Sequence, residues 1–401
     1  MTELMENALD EFRKSSKLFH KSINKTDRTV SGIYFTPKKV RDLLFKKLKD
    51  MNVSPTVILE PSFGSGEFIL DARELYNESK IIGIEKNKQL YDSVKCINST
   101  LICCDFMDWN GTADLIIGNP PYFVVPVAKN QKKEFSKKYA ECLTGRPNIY
   151  IQFLYKCLKE HLEPNGILAF ILPTSLYNCS YYQPMRNYIY KNTTICHLET
   201  LSKPGFYDTN QETMLIVLRN TKLNDDFVYK PALGNVYISP FYKELFTITK
   251  NTTTLAALGL GVKTGNIVWN DVKANLADNG TLLIYSSNIS NNELIIGNLC
   301  GKLRKQYVTK ITKPTISGPV ILVERGYGNS LKFNSVLVNI QNFYAENHIN
   351  VVYPKTPEAS VNLSKVITSF KDERTFKFIK WFIGNGSVSA SDLETIVPIF
   401  Y

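Results

Sequence analysis

The chain has 401 residues and a formal net charge of +11 at neutral pH, with 44% hydrophobic and 21% charged residues. No apolar run approaches the roughly 20 residues of a spanning helix, and the N-terminus lacks a signal-peptide core, so neither membrane insertion nor secretion is expected. The eight cysteines and four histidines show no zinc spacing, which argues against a metal site and indicates reduced thiols in an intracellular, cytoplasmic protein. The positive charge favours a polyanionic partner.

The first predicted elements are helical. Residues 1–29 are predicted to form a charged helical arm with a partial apolar face. A second helix is predicted after Thr36 and Pro37, because Thr36 suits the N-cap and Pro37 the first helical position. Simple capping explains both residues, while a hydroxyl at a helix N-terminus is also a ready site for a carboxylate.

A strand, a glycine-rich turn and a helix follow in the order of a nucleotide-binding βα unit. Residues 56–60 (TVILE) form the predicted strand, and Pro61, Gly64 and Gly66 lie in the turn. Glycines let a backbone approach a ligand closely. The turn has neither a Walker loop's Gly-Lys-Ser/Thr nor the Gly-x-Gly-x-x-Gly of dinucleotide folds, so taken alone it is a weak signal.

Two further strands are each followed by acidic residues. Residues 80–85 (KIIGIE) end at Glu85, about 20 residues after the glycine turn, where an acid suits a ribose diol. Residues 100–103 precede Asp105 and Phe106, which could bond an adenine amine and lie beside its ring. Taken alone, a solvated loop is the simpler explanation of these last two residues.

The fourth strand, residues 114–117, is an apolar run ended by Gly118. Asn119, Pro120 and Tyr122 then stand at the carboxyl end of a parallel strand, where open α/β sheets bind ligands. An sp² amine is a poor nucleophile, and two acceptors, the Asn119 side-chain oxygen and the Pro120 carbonyl, would draw its nitrogen towards a tetrahedral state. The Tyr122 ring offers a face to a planar base. A strand-ending turn is the alternative, because Asn-Pro is common in turns.

The next hundred residues continue the alternation of helices and strands. A lysine-rich segment with Lys129, Lys132 and Lys133 is either a solvated face or a phosphate contact. Helices are predicted from Asn148 to Leu162 and over 181–190, a turn over 164–166, and strands over 167–172, 194–198 and 214–218. This alternation predicts an α/β fold with one doubly wound, mostly parallel sheet.

After residue 220 the pattern changes to short β-prone runs separated by Asn, Gly and Ser. These runs lie at 282–285, 294–296, 320–323 and 336–340. Arg325 and Lys332 belong to a set of interleaved basic and aromatic residues, a weak electrostatic footprint for nucleic acid. We therefore predict an arm (1–29), a doubly wound domain (30–220) and a second, mixed α/β domain (221–401).

Taken together and in this order, the motifs resemble those of the amino-type DNA adenine methyltransferases that use S-adenosylmethionine, in the class whose target-recognition domain follows the catalytic one. YFTP, with Thr36 and Pro37, matches the family's carboxylate-binding motif, and EPSFGSG matches its methionine-binding glycine turn. NPPY is the family's catalytic motif in its full form. The resemblance covers residues 30–220 and implies a methyltransferase fold there, with DNA target recognition in 221–401.

The resemblance also implies a role for each site residue. Asn119, Pro120 and Tyr122 would be catalytic, and Tyr122 and Phe206 would stack on the target base. The implied cofactor-binding residues are Thr36, Pro37, Glu60, Pro61, Gly64, Gly66, Glu85, Lys86, Asp105, Phe106, Asn119 and Phe153. The expected DNA-binding residues are Lys129, Lys132, Lys133, Arg325 and Lys332.

The implied reaction is methyl transfer from S-adenosylmethionine to the N6 amine of an adenine flipped out of double-stranded DNA, without a metal or a covalent enzyme intermediate. Two alternatives stay open: a protein glutamine methyltransferase, since an amide nitrogen is equally delocalised, and a non-catalytic DNA-binding module with the same fold. The net charge of +11 argues against the first, and the intact NPPY motif argues against the second. Any cognate restriction endonuclease is expected to act separately.

Overall fold

The computed structural model describes residues 36–94, 99–125, 137–145, 148–201, 212–231, 235–297, 305–326, 333–383 and 387–400. The predicted arm at 1–29 lies outside the described residues, as do Lys129, Lys132, Lys133, Phe206 and Lys332. None of the helices within the described ranges has the length and apolarity needed to cross a bilayer. By its contacts the chain divides into two compact units.

The first unit alternates strands and helices. Its strands are β1 (Val57–Glu60), β2 (Lys80–Glu85), β3 (Thr100–Cys103), β4 (Ala113–Gly118), β5 (Leu162–Pro173), β6 (Thr194–Leu201), β7 (Thr213–Arg219), β8 (Val228–Tyr229) and β9 (Tyr237–Ile238). Its helices are α1 (Lys38–Asp50), α2 (Glu67–Leu75), α3 (Lys88–Val94), α4 (Ile149–Lys156) and α5 (Gln183–Asn192). Helix α6 (Tyr242–Ile248) begins where this unit ends.

Seven strands form one sheet in the order β3-β2-β1-β4-β5-β7-β6. Strands β1 to β5 are parallel to one another, whereas β7 runs antiparallel to both of its neighbours, β5 and β6. The predicted doubly wound, mostly parallel sheet is therefore confirmed. Chain winding reverses between β1 and β4, so the crevice at the carboxyl ends of these two strands is the expected ligand site.

Alternate residues of the strands face opposite sides of the sheet, and helices cover both sides. Leu59 and Ile116 pack with residues of α4 and α5 in one buried cluster. Ile58 and Leu115, their chain neighbours, pack with residues of α1 and α2 in another. Both faces of the sheet are buried, which explains why the sequences of these strands are nearly continuous apolar runs.

The segment after α4 differs from the sequence prediction. A helix was expected to continue to Leu162 and a turn was expected at 164–166, but α4 ends at Lys156 and a π-helical turn spans Cys157–His161. Strand β5 then begins at Leu162 and absorbs the turn residues, with Asn165 at a positive φ of 64°. Pairing of β5 with β4 is irregular at this point, so the two strands stay aligned despite the turn-like sequence.

The second unit consists of Pro231–Leu233 and Lys243–Tyr401, so most of it begins later than the boundary at residue 220 that the sequence predicts. The β8–β9 hairpin stays with the first unit because its backbone satisfies buried groups there. The buried Arg186 side chain donates Nε–H to the Val236 carbonyl (2.6 Å), and Ile238 N donates to the Tyr177 carbonyl (3.1 Å).

Short strands and C-terminal helices build the second unit. Its strands are β10 (Leu260–Thr264), β11 (Leu276–Ala277), β12 (Thr281–Ile284), β13 (Ile289–Ser290), β14 (Glu293–Leu294), β15 (Tyr307–Val308), β16 (Val320–Glu324), β17 (Ser335–Val338), β18 (Tyr344–Ala345) and β19 (Ile349–Pro354). Its remaining helices are α7 (Trp269–Val272), α8 (Leu363–Phe370), α9 (Glu373–Ile383) and α10 (Ala390–Thr395). One antiparallel sheet has the order β10-β19-β16-β17. A second, mixed sheet has the order β11-β15-β12-β18, in which β12 and β18 pair in parallel.

Candidate active site

A cavity of about 420 Å³ opens at the carboxyl ends of β1, β2 and β4. Most of the residues predicted to bind a cofactor line it: Thr36, Glu60, Pro61, Gly64, Glu85, Lys86, Asp105, Phe106, Asn119 and Phe153. Four of the predicted catalytic and cofactor-binding residues do not line the cavity: Pro37, Gly66, Pro120 and Tyr122. Each of them directly precedes or follows a lining residue in the chain. The sheet thus brings together groups that are up to about a hundred residues apart.

The glycine turn between β1 and α2 has a left-handed backbone at both of its glycines. Gly64 has φ +53° and Gly66 has φ +75°. A Cβ added to Gly64 would meet no atom within 4 Å, so the backbone angle rather than space demands glycine there. Gly66 N donates to the Phe63 carbonyl (2.7 Å) and Gly66 O accepts from Leu70 N (3.1 Å), which starts α2 directly at the cavity.

Glu85 ends β2 with its carboxylate turned back over the glycine turn. One oxygen accepts from Gly64 N (3.0 Å) and the other from Asn87 N (2.7 Å). Burial raises the pKa of Glu85, and these backbone N–H donors oppose the rise. Each carboxylate oxygen has a further lone pair, so the group can still accept from two neighbouring hydroxyls.

Asp105 is tied down on both sides. Its Oδ1 accepts from Met107 N (3.0 Å) and so caps the short helical turn Phe106–Asp108, while its Oδ2 accepts from the exposed Lys86 ammonium (2.6 Å). Burial would raise the pKa of Asp105, but the bonds from Lys86 and Met107 outweigh it and lower the pKa. Asp105 is therefore a fixed anion at the cavity wall.

Aromatic rings form the apolar wall of the cavity. Phe106 and Phe153 are stacked with ring centroids 4.9 Å apart and planes 29° from parallel. Both are nearly fully buried, and Leu90 lines the cavity beside them. Trp109 and His161 pack behind Phe106. Such a wall suits a planar heterocycle that inserts beside Phe106 and Phe153.

A buried charge cluster lies at the other side of the glycine turn. The Arg41 guanidinium, 7% exposed, donates to the carboxylates of Glu67 and Asp71 and to the Thr36 carbonyl (2.6 Å). Glu60 is 1% exposed, and its Oε2 has no hydrogen-bond partner among the described residues. Burial, and then the nearby charge of Glu85, raise the pKa of Glu60 well above its ordinary value. A cation entering the cavity would satisfy this carboxyl group.

Asn119 follows Gly118, whose φ of +148° turns the chain out of β4. The Asn119 amide is half-buried: Nδ2 donates to the Thr36 hydroxyl (3.0 Å), and Oδ1 accepts from the Tyr122 hydroxyl. Beyond the motif, Phe123 O accepts from Ile149 N (2.9 Å), which fastens the segment to the start of α4. Asn148 caps α4 through a bond from Tyr150 N (3.3 Å), as predicted.

The Tyr122 hydroxyl points back towards the sheet. It lies 2.6 Å from the Ile171 carbonyl, and its ring meets the Tyr150 ring edge-on with centroids 5.9 Å apart. Burial raises the pKa of Tyr122 well above its ordinary value, so the hydroxyl stays protonated.

In the second unit, the half-buried Arg325 donates from Nη1 to the Asn347 carbonyl (3.1 Å). Its guanidinium is therefore partly engaged within that unit, and its contact with DNA stays a prediction.

Several cavity residues were missed by sequence reasoning. They are Arg41, Ser62, Phe63, Ser65, Glu67, Phe68, Asn87, Leu90, Pro121, Phe123 and Ile149. Most lie directly beside a predicted motif and could have been found by extending each motif by one or two positions. Leu90 lies four positions after Lys86 and is one exception. Arg41 is the other, because a basic residue in the first turns of a helix is normally interpreted as a solvated charge.

Three comparisons relate the chain to known proteins. The family model of the Eco57I restriction-modification methylase matches residues 43–206. Type II methyltransferase M.CvrRI of Paramecium bursaria Chlorella virus XZ-6E is 32% identical over 400 residues, which cover 97% of this chain and 99% of the relative. Modification methylase CviBIII of Paramecium bursaria Chlorella virus NC1A is 30% identical over 413 residues, covering 98% and 100%.

Solved structures show more distant likeness. The M protein of the type I restriction enzyme EcoKI has a TM-score of 0.39 at 15% identity, with 48% of this chain and 45% of that chain covered. A methyltransferase from Pyrococcus furiosus has a TM-score of 0.30 at 19% identity, with 52% and 98% covered.

Proposed function

Because the chain belongs to the type II methyltransferases, we propose that it is a site-specific DNA adenine methyltransferase. It moves a methyl group from S-adenosylmethionine to the exocyclic N6 amine of an adenine flipped out of double-stranded DNA. The observation that carries this proposal is that Asn119 of the NPPY motif lines the same cavity as the glycine turn, Glu85 and Phe153. The group that can polarise an amine, Asn119, therefore lies in the same cavity as groups that suit a ribose and an adenine ring.

The cavity's donor set fits S-adenosylmethionine part by part. The buried Glu60 carboxyl group lacks a partner for Oε2 among the described residues, and the cofactor's ammonium would supply one. Glu85 can accept from the two ribose hydroxyls, and the Phe106–Phe153 wall suits the adenine ring. Thr36 lies two residues before α1, whose N-cap is Pro37 and not Thr36 as the sequence predicts, and its hydroxyl can donate to the carboxylate. When bound, this cofactor supplies a methyl group on a positively charged sulfur.

The protein's own part in the reaction is to position and polarise the amine. The lone pair of the adenine amine is delocalised into the ring, so the nitrogen must be drawn towards a tetrahedral state. The Asn119 Oδ1 and Pro120 carbonyl accept its two hydrogens, which localises the lone pair on nitrogen. Tyr122 and Phe206 hold the faces of the flipped base, and the extra proton of the methylated amine passes to solvent.

The two alternatives are less well supported. A protein glutamine methyltransferase would share the polarising motif, but the chain aligns over nearly its whole length with relatives named as type II and modification methylases. A module without catalysis would not need the Asn119 amide held at a cavity that also presents Glu60 and Glu85. We also propose that the enzyme works in the cytoplasm and that any cognate endonuclease is a separate protein.

The proposal is tested by expressing the chain in cells that lack adenine methylation. Digestion of their DNA to nucleosides should yield N6-methyladenine by mass spectrometry, and sequencing should place it in one short sequence. Asn119→Ala expressed at the same level is the control and should leave DNA unmodified. Purified protein with tritium-labelled cofactor should label duplex DNA and not protein glutamine. Unmodified DNA from wild-type cells would overturn the proposal.

A further inference from the structure

We propose that Thr36 is a positioning residue for Asn119: its hydroxyl sets which end of the amide faces the base and links that orientation to cofactor binding. The inference rests on the proposed function, since it concerns the group that polarises the adenine amine. It goes beyond it by giving one hydroxyl, Thr36 Oγ1, a contact with both halves of the site.

The geometry places Asn119 between two hydroxyls. On one side its Nδ2 donates to Thr36 Oγ1 (3.0 Å), and on the other its Oδ1 accepts from the Tyr122 hydroxyl. Thr36 is 6% exposed. Its carbonyl accepts from the buried Arg41 guanidinium (2.6 Å), which is itself held by Glu67 and Asp71, so the Thr36 backbone is fixed.

Tyr122 alone does not decide the orientation of the amide. A tyrosine hydroxyl has one proton, and this one faces two acceptors, Asn119 Oδ1 and the Ile171 carbonyl at 2.6 Å. If the proton goes to Ile171, the tyrosine oxygen can only accept, which would favour the reversed amide with Nδ2 towards Tyr122. The Thr36 hydroxyl, to which Nδ2 donates on the other side, is a second group that can fix the orientation.

Thr36 fixes the orientation of the Asn119 amide through the direction of its own hydroxyl proton. When the proton points into the cavity, Oγ1 can only accept from Asn119, and only Nδ2 can donate to it. The amide oxygen then faces Tyr122 and the place of the base. Thr36 lines the cofactor cavity, and no acceptor for its proton appears among the described residues. The first turn of α1 also carries no acidic side chain, so an anionic end of the cofactor is the acceptor that fits.

A consequence is that cofactor and base should strengthen each other's binding. A carboxylate that takes the Thr36 proton stabilises the amide orientation that accepts from the adenine amine. By linkage, a base that needs this orientation must increase cofactor affinity by the same factor. The coupling depends on the hydroxyl of Thr36 and on the amine of the target base.

The test measures duplex affinity with and without S-adenosylhomocysteine, using a duplex with the sequence that the wild-type protein methylates. S-Adenosylhomocysteine should tighten wild-type binding by about 10-fold. Thr36→Val, which keeps the shape but removes the hydroxyl, should reduce this factor to below about 2, whereas Thr36→Ser should retain it. 5′-Methylthioadenosine, which lacks the carboxylate, should give little coupling with any variant.

Two controls separate positioning from general damage. Glu85→Gln should weaken cofactor binding yet keep the coupling factor at saturating S-adenosylhomocysteine, because Glu85 is proposed to hold the ribose hydroxyls and not the carboxylate that Thr36 binds. A duplex with purine in place of the target adenine lacks the amine and should lose the coupling in the wild-type protein. Thermal unfolding checks that Thr36→Val is folded.

The outcomes distinguish this inference from the proposed function. A wild-type protein that methylates adenine, with full coupling retained in folded Thr36→Val, overturns the inference and leaves the function intact. A wild-type protein that transfers no methyl group to DNA overturns both. Loss of coupling in Thr36→Val with rescue in Thr36→Ser supports the positioning role.

Discussion

Asn119 is the residue on which the proposed chemistry depends most directly. Asn119→Ala removes one of two acceptors for the adenine amine, and losing one preorganised contact of this kind costs about 10²–10³-fold in rate. Cofactor affinity should change little, because Glu60, Glu85 and the aromatic wall remain. Single-turnover kinetics and calorimetry would measure the two effects separately. Turnover like that of the wild type would contradict the assignment.

Substitution of Glu85 should mainly weaken cofactor binding. Glu85→Ala removes a charged acceptor for two hydroxyls, at a cost of about 1.5–3 kcal/mol in affinity. It also removes the partners of Gly64 N and Asn87 N, so part of the loss would come from the turn itself. Calorimetry with a 2′-deoxy analogue of S-adenosylhomocysteine separates these causes. The wild type should bind the analogue more weakly than the parent compound, and Glu85→Ala should not discriminate.

Glu60 should make the cofactor-free protein less stable at neutral pH. Burial and the charge of Glu85 raise the pKa of Glu60 above its ordinary value of 4.5, so the folded state binds the proton more tightly than the unfolded state. This contribution to stability is complete below that ordinary value and is lost as pH rises through the folded pKa. Glu60→Gln, which needs no proton, should therefore be more stable at neutral pH by roughly 1 kcal/mol or more.

Thermal unfolding of wild type and Glu60→Gln between about pH 4.5 and pH 8 tests this assignment. The wild-type Tm should fall relative to that of the variant as pH rises. The variant should also bind cofactor more weakly, since a neutral amide balances no ammonium. Parallel Tm curves would show that Glu60 is not the group that titrates.

Ten of the 21 residues that line the cavity were predicted, because their motifs are short, local and chemically specific. Glu85, Asp105 and Asn119 each follow a strand at its carboxyl end, and a parallel sheet brings such ends together. Arg41 was not predictable, because its role depends on burial between two helices. The amide orientation of Asn119 was also beyond the sequence, since Nδ2 donates to the hydroxyl of Thr36, which is 83 residues away in the chain.

The glycine turn is the element in which a special backbone conformation supports the proposed cofactor contacts. Gly64→Ala would force a residue with a Cβ to φ +53°, at a cost of about 1–2 kcal/mol. No atom lies within 4 Å of the added Cβ, so the cost is conformational and not steric. Because Gly64 N also bonds Glu85, the turn should open and cofactor affinity should fall.

Gly297 provides a matched control for that substitution. It has a positive φ of +116° and equally open surroundings, but it lies in the second unit. Gly297→Ala should lower the Tm without changing cofactor affinity by calorimetry. Equal loss of cofactor affinity in both variants would mean that global destabilisation, and not the turn, controls binding.

Strands were predicted more accurately than the elements around them. Residues 80–85 and 100–103 match β2 and β3 because both strands are short apolar runs with polar residues just after them. Strand β5 was predicted too short, since Asn165 and Gly166 look like a turn and their pairing with β4 is a tertiary effect. In the second unit, β10, β19 and helices α8 to α10 were not identified, because that region was read as short strands alone.

At the scale of the whole molecule, the boundary of the first unit decides which truncated chain folds. A chain ending at Asn220 loses the β8–β9 hairpin, which removes the Val236 carbonyl from the buried Arg186 guanidinium. It also removes Val228, Val236 and Ile238 from the core of one sheet face. Leaving a buried charge without one acceptor costs about 1–3 kcal/mol, and the lost apolar burial adds to that.

We therefore expect a chain ending at Tyr242 to fold and bind cofactor, and a chain ending at Asn220 to be markedly less stable. The sheet, the glycine turn and the cavity all lie before Tyr242, so calorimetry should give the chain ending at Tyr242 nearly the cofactor affinity of the full chain.

The chain ending at Tyr242 should lose selective duplex binding if the second unit reads sequence, because the catalytic site contacts mainly one extruded nucleotide. A gel-shift comparison of cognate and scrambled duplexes, with the full chain as control, measures this selectivity. Selective methylation by the chain ending at Tyr242 would place sequence recognition in the first unit.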